Sequence, residues 1–283
     1  MTIAISLKVN DGVVLASDSA ASIFAQSPDG KTLGVINIYE NADKVFNLCK
    51  GHPIGAITWG SGSIGNSSIS TLVKDFRKKI GTIFTSKGKI TIEEISNQFT
   101  KFIYEEHYGP AFLNWPRKPD IGFIIAGYGT DVDYAEEWII EIRNGQLLDP
   151  KKLRGENETG LAWNGEPEAI TRLYLGHGTG MPVVLKECGI EDKKINEIMS
   201  KIRELLTVPL VVPPLPIQDA IDLAEFLVET TLKFSKFKPG PQTVGGPIDI
   251  AAITKHEGFK WVKRKHYFNT ILNPDIEEKY HHD

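Results

Sequence analysis

Two apolar runs separated by a tight turn open the chain, and the first begins at residue 2. The stretch reads MTIAISLKVNDGVVLASDS. Residues 2–8 and 13–19 are expected as two β-strands, with Asn10-Asp11-Gly12 as the hairpin turn between them. Chain termini ordinarily tolerate disorder because few contacts hold them. A terminus written as strand is instead held rigidly, and any reactive group it carries is held with it.

The remaining pattern groups strands with strands and helices with helices. Pro28-Asp29-Gly30 marks a turn inside an excursion over residues 20–41. Residues 44–48 and 54–58 read as a further short pair of strands. Gly60-Ser61-Gly62-Ser63 then precedes Ile64, Ile69, Leu72, Val73, Phe76 and Ile80, which sit at helical spacing. A second helix is expected over 92–108, with Thr91 and Glu94 as its capping box. Strands return at 120–127 and 137–143, and Asn144-Gly145 closes a hairpin. A strand at 161–163 and a helix over 166–175 follow. Residues 181–235 are mostly helical, broken by the proline cluster from Pro209 to Pro216, and 248–253 form a last strand. This order predicts an α+β fold of packed layers, helices over sheet, rather than alternating βαβ units.

Composition excludes several classes. With 283 residues, 41% of them hydrophobic, the chain can bury the core of one large domain. No run of about 18 apolar residues suggests a membrane span, and the opening lacks the basic and long apolar regions of a secretory signal. A net charge of −4 gives no reason to expect nucleic acid or anionic lipid as a partner. Cys49 and Cys188 allow one disulfide, but are read first as two buried thiols of a cytoplasmic protein. Asp131, Asp133 and Glu137 read as a polar turn, since they lack the glycine and spacing of a calcium loop. The histidines, including His281-His282, show no metal-site spacing, and "KWVKRK" at 260–265 reads as a solvated strand edge.

The chemistry is expected at the opening. Removal of Met1 would leave Thr2 with a free α-amine. A threonine hydroxyl is a poor nucleophile near neutral pH, whereas an α-amine titrates near about 7.7–8.0 and can take the hydroxyl proton. Nucleophile and base then belong to one residue. A lysine nearby would lower the pKa of both groups, and a carboxylate would hold that lysine. Asp18 follows on the second strand and Lys44 opens the third, so aligned strands bring both to the end of the first. The oxyanion of the tetrahedral intermediate needs a backbone N–H at a loop-to-helix junction, which Ser61-Gly62-Ser63 offers, with Gly60 the competing donor.

"TIAISLKVNDGVVLASDS", "NADKVFNL" and "GSGSIGN" together resemble the N-terminal half of proteasome β-type subunits, the group that includes the bacterial peptidase HslV and the Anbu proteins. "TVGGPIDIAAIT" resembles the glycine-rich turn and strand late in that family. The resemblance makes Thr2 the nucleophile, Asp18 the anchor of the lysine, Lys44 the lysine, and the Gly62 amide the oxyanion donor. Ser22 falls on the segment that pairs with a substrate strand. It implies a four-layer αββα sandwich, an N-terminal nucleophile (Ntn) hydrolase fold, and self-assembly into rings or a helical stack.

Three departures accompany the resemblance. Ala20 stands where the family often carries arginine. The supporting serine of the family matches Asn164 in "WNGEPEA", with His177 in "LGHGTG" as the alternative. The late Asp and Ser fall near Pro241 and Val244, so those roles are lost or shifted to Gln242 and Thr243. A helical, proline-rich insertion at about 176–216 interrupts an otherwise single domain spanning 1–283.

The expectation is a threonine-type endopeptidase that cleaves peptides or unfolded protein through an ester on Thr2. It needs no metal or organic cofactor, works in a homo-oligomer, and leaves room for an ATP-dependent unfoldase. Two alternatives stay open: an amidase of the same architecture acting on small amides, and a ring-forming scaffold subunit without turnover.

Overall fold

The computed structural model describes residues 2–26, 33–84, 89–266 and 268. Met1, the Pro28-Asp29-Gly30 turn and the His281-His282 pair lie outside the described residues. The strands in chain order are β1 (Ile3–Val9), β2 (Gly12–Ser17), β3 (Ala21–Gln26), β4 (Leu33–Tyr39), β5 (Val45–Asn47) and β6 (Ile54–Gly60). Two short strands follow, β7 (Ser63–Ile64) and β8 (Ser67–Ser68), and then β9 (Ile121–Gly127), β10 (Glu136–Arg143) and β11 (Gln146–Leu147). The last are β12 (Lys151–Lys152), β13 (Gly160–Gly165), β14 (Asp249–Thr254) and β15 (Gly258–Lys263). The helices are α1 (Ile69–Phe84), α2 (Ile92–Thr100), α3 (Gly109–Ala111), α4 (Glu168–Leu175), α5 (Met181–Glu187), α6 (Asp192–Leu206) and α7 (Ile217–Phe237), with a π-helix at Lys101–Tyr108 between α2 and α3.

One antiparallel sheet has the order β13-β1-β2-β14-β15 and a second β11-β10-β9-β6-β5. β1 and β2 pair through the expected turn, Val9 opposite Gly12. Every residue of β1 is buried, which a strand facing water on one side cannot be. The alternation of its side chains explains why. Ile3, Ile5 and Leu7 share a core with Ala220, Ala224, Leu227 and Val228 of α7 and Ile170 of α4. Ala4, with Val13 and Leu15 of β2, faces Ile57, Ile124 and Ala126 of the second sheet. The far face of that second sheet packs Ile54, Phe123, Ile125 and Ile140 against Leu72, Phe76 and Ile80 of α1 and Ile95 and Phe99 of α2. The molecule is thus a mixed α/β fold of antiparallel sheets with helices covering apolar faces.

Capping and turn chemistry act where the sequence places them. Thr91 Oγ1 accepts from the Glu94 N–H at 3.1 Å. Asn144 and Gly145 both take positive φ in the β10–β11 hairpin. Gly176 at φ 75° ends α4 just before His177. Asp131, Asp133 and Glu137 are held apart by separate partners, Lys89, Lys255 and Arg154.

The expected excursion after β2 leaves both main sheets, and within it β3 and β4 pair as a two-stranded ribbon of their own. Three expectations are corrected. The helix after the glycine-serine run starts at Ile69, since β7 and β8 form a small hairpin first, turned at Gly65 with φ 56°. The helix expected at 92–108 turns into a π-helix after Thr100. Cys188 is exposed, on a segment whose α5 buries none of its residues, while Cys49 is buried; both are free.

Candidate active site

The ends of β1 and β2 converge on one buried carboxylate. Asp18, directly after β2, is fully buried. Its Oδ1 accepts the Ile3 N–H at 3.0 Å and the Lys44 ammonium at 2.6 Å. Its Oδ2 accepts the Ala20 and Gly245 N–H groups, each at 3.1 Å. Two of the four donors come from residues 26 and 227 positions away, so the carboxylate ties both sheets and the late glycine turn together. Charge-assisted bonds of this kind are stronger than neutral ones.

Lys44 immediately precedes β5, and its own carbonyl accepts from Thr58 N–H of β6 at 3.0 Å. Only 7% of its side chain is exposed. Burial lowers its pKa first, and the charge and hydrogen bond of Asp18 oppose that fall. The pair is therefore poised by opposing effects of the same neighbourhood.

Thr2 is buried and adjoins the residue whose amide binds Asp18. Its carbonyl accepts from the Glu166 N–H at 2.7 Å. Gly165, at φ 99°, packs against the same carbonyl so tightly that a Cβ there would lie 1.8 Å from the oxygen. The β13 end thus clamps the first residue from the side opposite Asp18. Asn164 sits on β13 across from Ala4 of β1. Directly paired residues of an antiparallel ladder project to one face, so Asn164 shares the face of Ala4, between the sheets.

Gly62 is exposed, and its carbonyl accepts the Ile69 N–H at 3.0 Å. The loop is therefore tied to the start of α1 by that carbonyl, with the β7–β8 hairpin between Gly62 and the helix. Ser61 Oγ donates to the Ser63 carbonyl at 2.8 Å, and the Ser61 N–H donates to Asp120 at 2.9 Å. Ser22 lies on β3 opposite Ile38 of β4, half-buried. The structure joins Asp18 and Lys44 in a buried pair held to the amide of Ile3, the residue after Thr2, with Asn164 on β13 across from Ala4; Gly62 lies on the loop after β6 and Ser22 on the β3–β4 ribbon.

Of the late residues, Pro241 is exposed, Val244 lies in the core shared with α7, and Gln242 donates to the Val244 carbonyl. The group that reaches Asp18 is instead the Gly245 amide. Sequence patterning did not single out Gly165, Gly245, Asp249 or Lys265. Lys265 was counted in a solvated edge, yet its side chain is only 10% exposed and ion-paired to Asp249. An aspartate at the start of an otherwise apolar strand, Ile248-Asp249-Ile250, was the available signal.

No protein-family model and no curated protein sequence matches the chain. Among solved structures, one of an Anbu (Gly-1) mutant from Hyphomicrobium sp. strain MC1 matches with a TM-score of 0.52 and 13% identity, over 94% of this chain and 89% of that chain. The likeness is one of fold.

Proposed function

We propose that the chain is a threonine-type peptidase of the proteasome-like Ntn hydrolases, with Thr2 as nucleophile. The observation that carries this reading is the Lys44–Asp18 pair, 2.6 Å apart and buried, bonded to the amide of the residue after Thr2. A buried ion pair is costly to build and contributes little stability by itself. Its position at the head of β1 makes sense if it serves the group next to it. The fold shared with an Anbu protein, a group the opening motifs resemble, supports the same reading. We take the three apolar cores as those of a four-layer αββα sandwich, one domain over 1–283 with the 176–216 helical segment as an insertion.

In the proposed reaction, removal of Met1 frees the Thr2 α-amine. The amine takes the hydroxyl proton as Oγ attacks the substrate carbonyl carbon. Lys44, with one N–H given to Asp18, turns its remaining donors toward Oγ and disfavours protonation of the amine by like charge. The Gly62 N–H receives the oxyanion, and Asn164 supports the proton path from β13. Collapse breaks the amide C–N bond, the proton passes to the leaving amine, and an ester remains on Thr2. Water, deprotonated by the same α-amine, hydrolyses the ester. Ser22 on β3 borders the bound peptide, and homo-oligomers, cytoplasmic and open to an unfoldase, confine the reaction.

Incubation with an epoxyketone or vinyl sulfone probe tests the reading by intact mass and peptide mapping. The expected result is one adduct on Thr2 of protein lacking Met1, absent in Thr2→Ala. Met1-free protein that takes no adduct, or takes it elsewhere, overturns it. Casein against small amides as substrates separates peptidase from amidase.

A further inference from the structure

A second buried ion pair lies against the first. Lys265 follows the edge strand β15 by two residues. Its backbone N–H donates to Asp249 Oδ1 at 3.0 Å, and its ammonium is bonded to Asp249 Oδ2, so one residue occupies both oxygens of that carboxylate. The ammonium also stands 3.6 Å from Asp43 Oδ1. The neighbours of those two acids matter. Asp249 is the cross-strand partner of Ser17, the residue before Asp18. Asp43 is the residue before Lys44. Asp43 also accepts from Ser70 Oγ in the first turn of α1 at 3.0 Å. One lysine therefore joins β14 of the first sheet to the segment leading into β5 of the second, behind both members of the Asp18–Lys44 pair.

The side chains of Lys265 and Asp249 are 10% and 3% exposed. Exposed ion pairs contribute little, whereas removing one member of a buried pair is strongly destabilising. The lysines of β15 itself, Lys260 and Lys263, are exposed, so burial sets Lys265 apart from them.

We propose that Lys265 is a positioning residue for the reaction described above: clamped between Asp249 and Asp43, it fixes the spacing of Asp18 and Lys44 and sets a second cation beside Lys44. The proposal rests on the Thr2 reading for its catalytic consequence, but its electrostatic part does not. The charged groups around Lys44 are Asp18 from the end of β2, Asp249 from β14, Lys265 after β15, and Asp43 on its own segment. Lys265 pushes the Lys44 pKa down and Asp249 pulls it up. Removing the Lys265 charge is expected to raise the Lys44 pKa, whether or not Asp249 is present.

The test is a titration of Lys44 by NMR in full-length protein with isotope-labelled lysine, assigned by Lys44→Met. The Lys44 midpoint is expected to rise in Lys265→Met and to return in Lys265→Arg. The double variant Lys265→Met/Asp249→Leu strands no buried charge, so it keeps the test readable if the single variant does not fold; there the midpoint is expected above that of Asp249→Leu. A midpoint unmoved in whichever of these folds overturns the proposal. In parallel, the rate of probe labelling at Thr2 is expected to fall about tenfold to a hundredfold in Lys265→Met, as small misplacements of catalytic groups do. Its alkaline limb should move to higher pH, and Lys265→Arg should restore both. A wild-type protein that never labels at Thr2 defeats the peptidase reading alone, leaving the Lys44 titration to decide the clamp.

Discussion

Exchanging Asp18 for asparagine isolates the buried carboxylate with almost no change in shape. Oδ1 holds the Ile3 amide and the Lys44 ammonium, and Oδ2 holds the Ala20 and Gly245 amides. An asparagine keeps one oxygen, so in either orientation two donors face an NH2 group. A stranded buried donor costs about 1–3 kcal/mol, or about 2–6 kcal/mol for two. Counted as the breaking of a buried ion pair, the same loss is about 3–5 kcal/mol. The two routes describe one event and agree, so Asp18→Asn is expected to destabilise the fold by about 3–5 kcal/mol. At about 2–4 °C per kcal/mol, the melting temperature falls by about 6–20 °C. Lys44→Met leaves three backbone donors on the carboxylate and is expected to cost less. In the double variant no unpaired ammonium remains, so the combined cost falls short of the sum by at least about 1 kcal/mol. Equilibrium urea unfolding at one fixed protein concentration reads all four corners of the cycle. A loss below about 1 kcal/mol for Asp18→Asn, or additivity within about 0.5 kcal/mol, refutes the claim that these charges are coupled in a dry site.

Gly165→Ala is expected to abolish Thr2 labelling and lower stability, because its Cβ would meet the Thr2 carbonyl at 1.8 Å at a φ of 99°; wild-type labelling rates in the variant would contradict the clamp. With a disulfide-exchange reagent, native protein should titrate one thiol, the exposed Cys188, and denatured protein two. Cys49 stays silent until unfolding, since burial pushes its pKa up to about 11. Burial also lowers the pKa of Lys8, whose ammonium is held by the Gly155 and Glu156 carbonyls. The folded state then binds that proton less tightly than the unfolded chain. Stability relative to Lys8→Met should therefore rise with pH from the lowered value up to the usual 10.5, as urea unfolding across the alkaline range would report.

Local chemistry was legible in the sequence wherever one residue pair decides the outcome. Asn10-Asp11-Gly12 closes its hairpin and Thr91 caps its helix because turn and cap preferences act over a few residues. Asp18 and Lys44 could be read as strand-end residues, and their contact follows from the adjacency of strands rather than from spacing. Beyond that range, reading failed for physical reasons. The glycine-serine run looks like a helix start, but Gly65 lets the chain fold back into a two-residue hairpin first. The Lys260–Lys265 run reads as a wet edge by its lysines, and only the docking of β15 beside β14 reveals that Lys265 is covered. Gly165 and Gly245 reach the site through backbone groups, which leave no side-chain pattern to find.

The place of β1 in its sheet has a temporal consequence. It lies between β2, its neighbour in the chain, and β13, while β2 waits for β14. A ribosome adding about 5–20 residues per second exposes the first strand tens of seconds before the strands that flank this hairpin emerge. Until then neither the Glu166 amide that grips Thr2 nor the Gly245 amide that completes the Asp18 shell is present. A nascent chain therefore carries the parts without the assembly, and whatever Thr2 does, it starts only after β13 and the turn before β14 have emerged.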